Sequence, residues 1–111
     1  MPAFPTMRRK RDFEAVGRSG TPRACRLLLV RVRRNDVGVT RIGMSTPRGA
    51  GGAVRRNRLR RRMREAVRAE YRALSPGWDV LVVARLAASD ASVADLRSAF
   101  RGLARRSGID A

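Results

Sequence analysis

The sequence contains no histidine, one cysteine and one lysine, and few aromatic side chains. The chain therefore has no imidazole for acid–base work on a ribose hydroxyl. The lone Cys25 can build neither a disulfide framework nor a zinc site, and in its apolar run it reads as a small core residue in a reducing compartment. Carboxylates are scarce too: Asp and Glu total 9 against 26 basic residues. Glu65 and Glu70 would point in different directions on a helix, Asp12 and Glu14 diverge likewise, and Asp79 and Asp95 stand alone in the chain. A two-metal nuclease needs carboxylates converging on ions about 4 Å apart. No catalytic residue and no protein-held metal is therefore expected. No apolar run is long enough to span a membrane, and the start, MPAFPTMRRKRDF, has no stretch resembling a signal peptide. The expectation is a cytoplasmic protein without a membrane partner.

What is present is arginine. The net charge of +17 opposes compaction and calls for a polyanionic partner, nucleic acid before an anionic membrane surface. Arginine forks suit phosphate and base edges, although their near-complete replacement of lysine, alongside abundant Ala and Gly, reads chiefly as codon bias. A hydrophobic fraction of 43% is that of an ordinary globular chain, so a single domain over 1–111 is expected. Its ordered core should run over about 7–109, with 1–6 as an N-terminal extension.

Phe13 and Val16 in RDFEAV predict a short helix that Gly17 and Gly20 would end. CRLLLVRVRR places Leu28, Val30 and Val32 on one side of a strand. RND supplies a turn and VGVTRIGMS a second strand, expected to pair antiparallel with the first. A further short strand near Thr21–Arg23 is open. TPRGAGG is a loop; it lacks the lysine and spacing of a P-loop and the G-x-G-x-x-G of a dinucleotide fold, so no small-molecule substrate is indicated. A long helix follows from about Ala53 to Leu74, stopped by Pro76 and Gly77. WDVLVVAR reads as a strand covered on both faces. Ser92 and Asp95 form a capping box ahead of a helix carrying Val93, Leu96, Phe100 and Leu103. The order predicts an α/β (α+β) two-layer sandwich, a small mixed sheet of about four strands with three helices.

The long helix has two distinct faces. Leu59, Met63, Ala66, Val67, Tyr71 and Leu74 cover an arc of about 140°. Asn57, Arg61, Arg64, Arg68 and Arg72 form a second stripe, roughly 130° around. Arg55, Arg58 and Arg62 lie on one flank, and Arg56 and Arg60 border the apolar arc. A merely solvated face would alternate charge sign, but only Glu65 and Glu70 interrupt these arginines. One face serves the fold and the other a polyanion.

RRNRLRRRMREAVR, after a Gly-Ala-Val approach and before WDVLVVAR, resembles the signature of the bacterial ribonuclease P protein family. RDFEAV with Gly20, RIGMS before the loop, and the last helix fall in that family's order, so the resemblance covers about Met7 to Ile109. It implies a left-handed strand–helix–strand crossover, against the general handedness rule. It also implies an endoribonuclease whose RNA subunit is the catalyst and needs Mg2+, held mainly by RNA. The protein alone would be inactive. Its partners would be that RNA subunit, docked on the Arg-Asn-Arg helix, and precursor tRNA, whose 5′ leader lies in a cleft on the sheet. Carried over, Arg56, Asn57, Arg58, Arg60, Arg61 and Arg64 match the helix motif, with Arg68 continuing the stripe. Phe13 matches an aromatic of the leader cleft. Arg31 stands there in place of a first-strand aromatic, Gly17 in place of another, and Gly52 replaces the asparagine of the usual loop, which shifts leader contact toward charge. The rival readings are a basic ribosomal or other structured-RNA-binding protein and a DNA-binding basic helix. The apolar face disfavours the latter by tying the helix to a core.

Overall fold

The computed structural model describes residues 4–111. Three α-helices, α1 (Lys10–Ser19), α2 (Ala53–Glu70) and α3 (Val93–Arg106), combine with four strands, β1 (Thr21–Ala24), β2 (Leu28–Arg34), β3 (Arg41–Ser45) and β4 (Trp78–Ala84). The sheet order is β1-β2-β4-β3: β4 pairs antiparallel with β2 and parallel with β3.

This order corrects the expected hairpin between β2 and β3. The two run in opposite directions, but β4 lies between them and takes the ladder of both. The reason is burial. WDVLVVA is the most continuously apolar strand, and a central position is where such a strand loses most water-exposed surface. Asn35 organises the wide connection instead: its Nδ2 donates to the Val39 carbonyl at 3.0 Å and its Oδ1 accepts from Val37 N at 3.0 Å.

The first face of the sheet carries the main core. Leu28, Val30 and Val32 of β2 and Val80, Val82 and Ala84 of β4 face Leu59, Met63, Ala66 and Val67 of α2 and Leu96, Phe100 and Leu103 of α3. Every one of these is buried, as the spacing in both helices requires. Tyr71 and Leu74, the last members of the α2 arc, are half-buried, because the α-helix ends at Glu70 and passes into a 3-10 turn over Tyr71–Ala73. The α3 capping box forms as expected, with Asp95 N donating to Ser92 Oγ at 3.0 Å.

The second face is covered only in part, so β4 is not the doubly covered strand its sequence suggests. Leu29, Leu81 and Val83 remain half-exposed there. α1 lies over the rest. Gly17 does not end that helix; it continues to Ser19, and Gly20 N donates to the Val16 carbonyl at 2.8 Å.

Of the N-terminal extension, residues 1–3 lie outside the described residues, but the core starts earlier than Met7. Phe4 is 4% exposed and stacks on Tyr71 at a centroid distance of 5.6 Å. The adjoining segment runs along β3, with Met7 N donating to the Ile42 carbonyl at 2.9 Å and Ile42 N to the Pro5 carbonyl at 3.0 Å. It covers an edge that would otherwise offer unpaired backbone groups to another chain.

Glu70 ties the two helices of the first face together. Its carboxylate, 11% exposed, accepts from Arg101 Nε at 2.7 Å and from Arg97 Nη2 at 2.9 Å. The Arg101 hydrogen bond, aided by that of Arg97 and opposed by burial, holds this carboxyl below its ordinary value of 4.5. A folded-state value below the unfolded one gives stability that is complete above the unfolded value and is lost as pH falls through the folded one. Glu70→Gln should therefore lower the melting temperature by a few degrees at neutral pH. The difference from the parent should close on the acid side of the glutamate range. A gap that persists unchanged at low pH would show that the clamp is not ionic.

Candidate nucleic-acid interface

α2 starts where it does because of its glycines. Gly51 has φ of +117°, a conformation open to glycine, and an added Cβ there would lie 2.8 Å from Arg55 Cδ. Gly52 is the N-cap and supplies no side-chain cap. From this start, packing of Leu59, Met63, Ala66 and Val67 on the sheet sets the rotation of the whole helix and so aims its arginines.

Asn57, Arg58, Arg60, Arg61 and Arg64 are exposed and make no side-chain hydrogen bond or ion pair among the described residues. Arg68 is also exposed and meets Glu65 at 3.1 Å. Arg56 differs: it is half-buried, and its Nε is shielded from solvent with no hydrogen-bond partner among the described residues. The flank toward α3 is used by the fold. Arg62 donates to the carbonyls of Ser89 at 2.7 Å and Ala91 at 3.0 Å, and Arg55 meets Asp90 at 3.2 Å. The helical spacing placed Arg62 on a flank with Arg55 and Arg58 and gave it no partner. Nothing local could have shown that it straps α2 to the turn before α3.

The second candidate surface lies across the sheet. Phe13 is half-buried on α1, directly over β3: a Cβ built on Gly43 would lie 2.6 Å from Phe13 Cε1 and 2.7 Å from Met7 Cε. Arg31 is half-buried on β2, opposite Leu81 of β4, and its Nη1 reaches the Gly20 carbonyl at 3.4 Å. Phe13 and Arg31 thus line the same half-covered face, with Leu29, Leu81 and Val83 as its apolar floor. The structure does not bring them to the α2 stripe, since α1 and α2 pack on opposite faces of the sheet.

Beneath α1 lies a network that the sequence did not disclose. Asp79, 2% exposed, accepts from Arg41 Nε at 2.9 Å and Nη2 at 2.8 Å, and from Asn35 Nδ2 at 2.8 Å. Arg41 Nη1 reaches Asp12 of α1 at 3.5 Å. The hydrogen bonds that Arg41 donates to Asp79 raise the Arg41 pKa above its ordinary value, against the opposing effect of burial. The carboxylates that looked isolated in the chain thus converge, but on a guanidinium. The one available signal was Asp79 itself, a charge inside an apolar strand, which must carry a buried partner. Among the described residues no group of three or more Cys, Asp or Glu could hold a metal ion, and no helix is long and apolar enough to cross a membrane.

These features define a class: a small basic α/β sandwich, built on a crossover helix with one face in the core and an arginine face in solvent. The family model described as Ribonuclease P matches residues 1–108. Chains named ribonuclease P protein component are similar, one from Roseiflexus sp. strain RS-1 at 40% identity over 71% of this chain and 65% of its own length. Another, from Roseiflexus castenholzii, is 34% identical over 93% of this chain and 85% of its own. The solved ribonuclease P protein from Thermotoga maritima superposes with a TM-score of 0.82 at 28% identity, covering 91% of this chain and 96% of that one. The chain belongs to the ribonuclease P protein family.

Proposed function

We propose that this chain is the protein subunit of a ribonuclease P ribonucleoprotein, in which it binds the RNA subunit and the 5′ leader of precursor tRNA in the cytoplasm. Arg56, Asn57, Arg58, Arg60, Arg61, Arg64 and Arg68 meet the RNA subunit, and Phe13 and Arg31 meet the leader. The observation that carries this reading is the arginine face of α2, exposed and almost free of acidic partners while the opposite face of the same helix is sealed in the core. Solvent-facing guanidinium groups at helical spacing match successive phosphates and displace their counterions. Across the sheet, Phe13 offers a ring for stacking and Arg31 a cation for the backbone of a single strand.

Hydrolysis is assigned to the RNA. The Mg2+ that such an enzyme needs has no fitting donor set in Asp12 and Asp79, because Arg41 already occupies both carboxylates. The ion is held mainly by the RNA. The protein's own contribution is to bind, orient and neutralise.

The test is reconstitution with a candidate RNA subunit and assay of precursor-tRNA cleavage at low magnesium. The isolated protein should show no cleavage at any magnesium concentration, and added RNA subunit should yield a mature 5′ end. Specific 5′ processing by rigorously RNA-free protein, or no stimulation of the RNA by the protein, would overturn the assignment.

A further inference from the structure

α1 carries one wall of the half-covered sheet face, yet little holds it there. Phe13 and Met7 sit over Gly43, and Val16 packs beside Gly20 and Arg31. The helix start is poorly secured by its own sequence: Arg9 at the N-cap makes no side-chain cap bond, and Arg8, Arg9, Lys10 and Arg11 crowd the positive end of the helix dipole. Asp12 is the one acidic residue of that first turn, and it is aimed at the sheet, where Arg41 Nη1 stands 3.5 Å away. Both side chains are about one-fifth exposed. Arg41 cannot swing to follow the helix, because its Nε and Nη2 are held in a two-bond fork by the buried Asp79, itself anchored by Asn35.

We propose that Arg41 is a positioning residue for the leader site: fixed by Asp79, it latches Asp12 and thereby sets where the adjacent Phe13 stands over β3 and how wide the face beside Arg31 remains. This rests on the reading that the 5′ leader occupies that face. The network then has two parts with different tasks. Asp79–Arg41 is a strut within the sheet, and Arg41–Asp12 is the link from the sheet to α1. A latch can shift leader affinity by no more than the contact is worth, so its effect is modest and specific.

The sign of the effect separates the latch from plain electrostatics. A carboxylate beside an RNA-binding face repels phosphate, so if Asp12 acted only through its charge, Asp12→Asn would tighten precursor binding. The latch requires the opposite. In holoenzyme reconstituted with the RNA subunit, Asp12→Asn should lower the ratio of precursor to mature tRNA affinity by roughly two- to fivefold. Affinity for mature tRNA should stay at the parent level, and the loss should grow as the leader is lengthened across the face. Asp12→Glu, which keeps a carboxylate within reach of Nη1, should recover most of the ratio. Unchanged or tighter precursor binding by Asp12→Asn, or no recovery with Asp12→Glu, overturns the latch. Phe13→Ala is measured alongside: if it loses the precursor preference while Asp12→Asn does not, the latch alone fails. If Phe13→Ala keeps that preference, the leader is elsewhere and the reading beneath the latch fails with it.

Discussion

Arg61→Ala, Arg64→Ala and Arg68→Ala combined should weaken binding to the RNA subunit by roughly 100-fold at moderate salt, because each removes a charged donor from one exposed line. The more diagnostic effect is on salt dependence. Each lost phosphate contact removes about one released counterion, so the slope of log affinity against log salt should flatten by about two to three. The melting transition should hold or rise slightly. These side chains face away from the buried Leu59, Met63, Ala66 and Val67, and thinning like charges along a helix relieves repulsion. Titration of labelled RNA subunit at several salt concentrations, with a thermal melt of the free protein, checks both. Full binding with a collapsed melt would mean that the arginines serve the fold, and the docking surface would have to be sought elsewhere.

Arg41→Ala should cost about 3–5 kcal/mol of unfolding free energy, the cost of stranding a buried charge. Asp79 is 2% exposed, and Arg41 is its cationic partner; Asn35 supplies one neutral hydrogen bond and no charge. With the guanidinium gone, the Asp79 carboxylate must be rehydrated through a loosened sheet or left unpaired. The parent and variant are compared by urea denaturation at neutral pH. A loss under about 1 kcal/mol would place Arg41–Asp79 among exposed pairs of little worth and remove the strut from beneath α1. The milder Asp12→Asn leaves this strut in place, which is why it reports on the latch and Arg41→Ala does not.

Much of the fold was legible because its signals are local. The i, i+3, i+4 apolar spacing of α2 and α3, the Ser92–Asp95 cap, the alternation of β2 and the apolar run of β4 all appear at their predicted places. The second strand was found but wrongly paired, since alternation says which face a residue takes and nothing about which strand lies beside it. The arginine stripe was legible for the same reason as the helix. The strap made by Arg62 was not, because its acceptors are backbone carbonyls 27 and 29 residues away.

The sequence by itself determined that the chain is a basic single-core domain, that α2 turns one face inward and its arginines outward, and that it has no histidine and too few cysteines for a disulfide or a zinc framework. Composition and helical periodicity suffice for each of these. Only the tertiary structure decided that β4 parts β2 from β3, that Phe4 reaches the core through Tyr71, and that Asp12 and Asp79 share Arg41 beneath Phe13. These depend on contacts between distant segments, 38 residues apart for Arg41 and Asp79. A buried charge finds its partner by sharing a dry space with it, and that space exists only once the sheet has formed and α1 has closed over it.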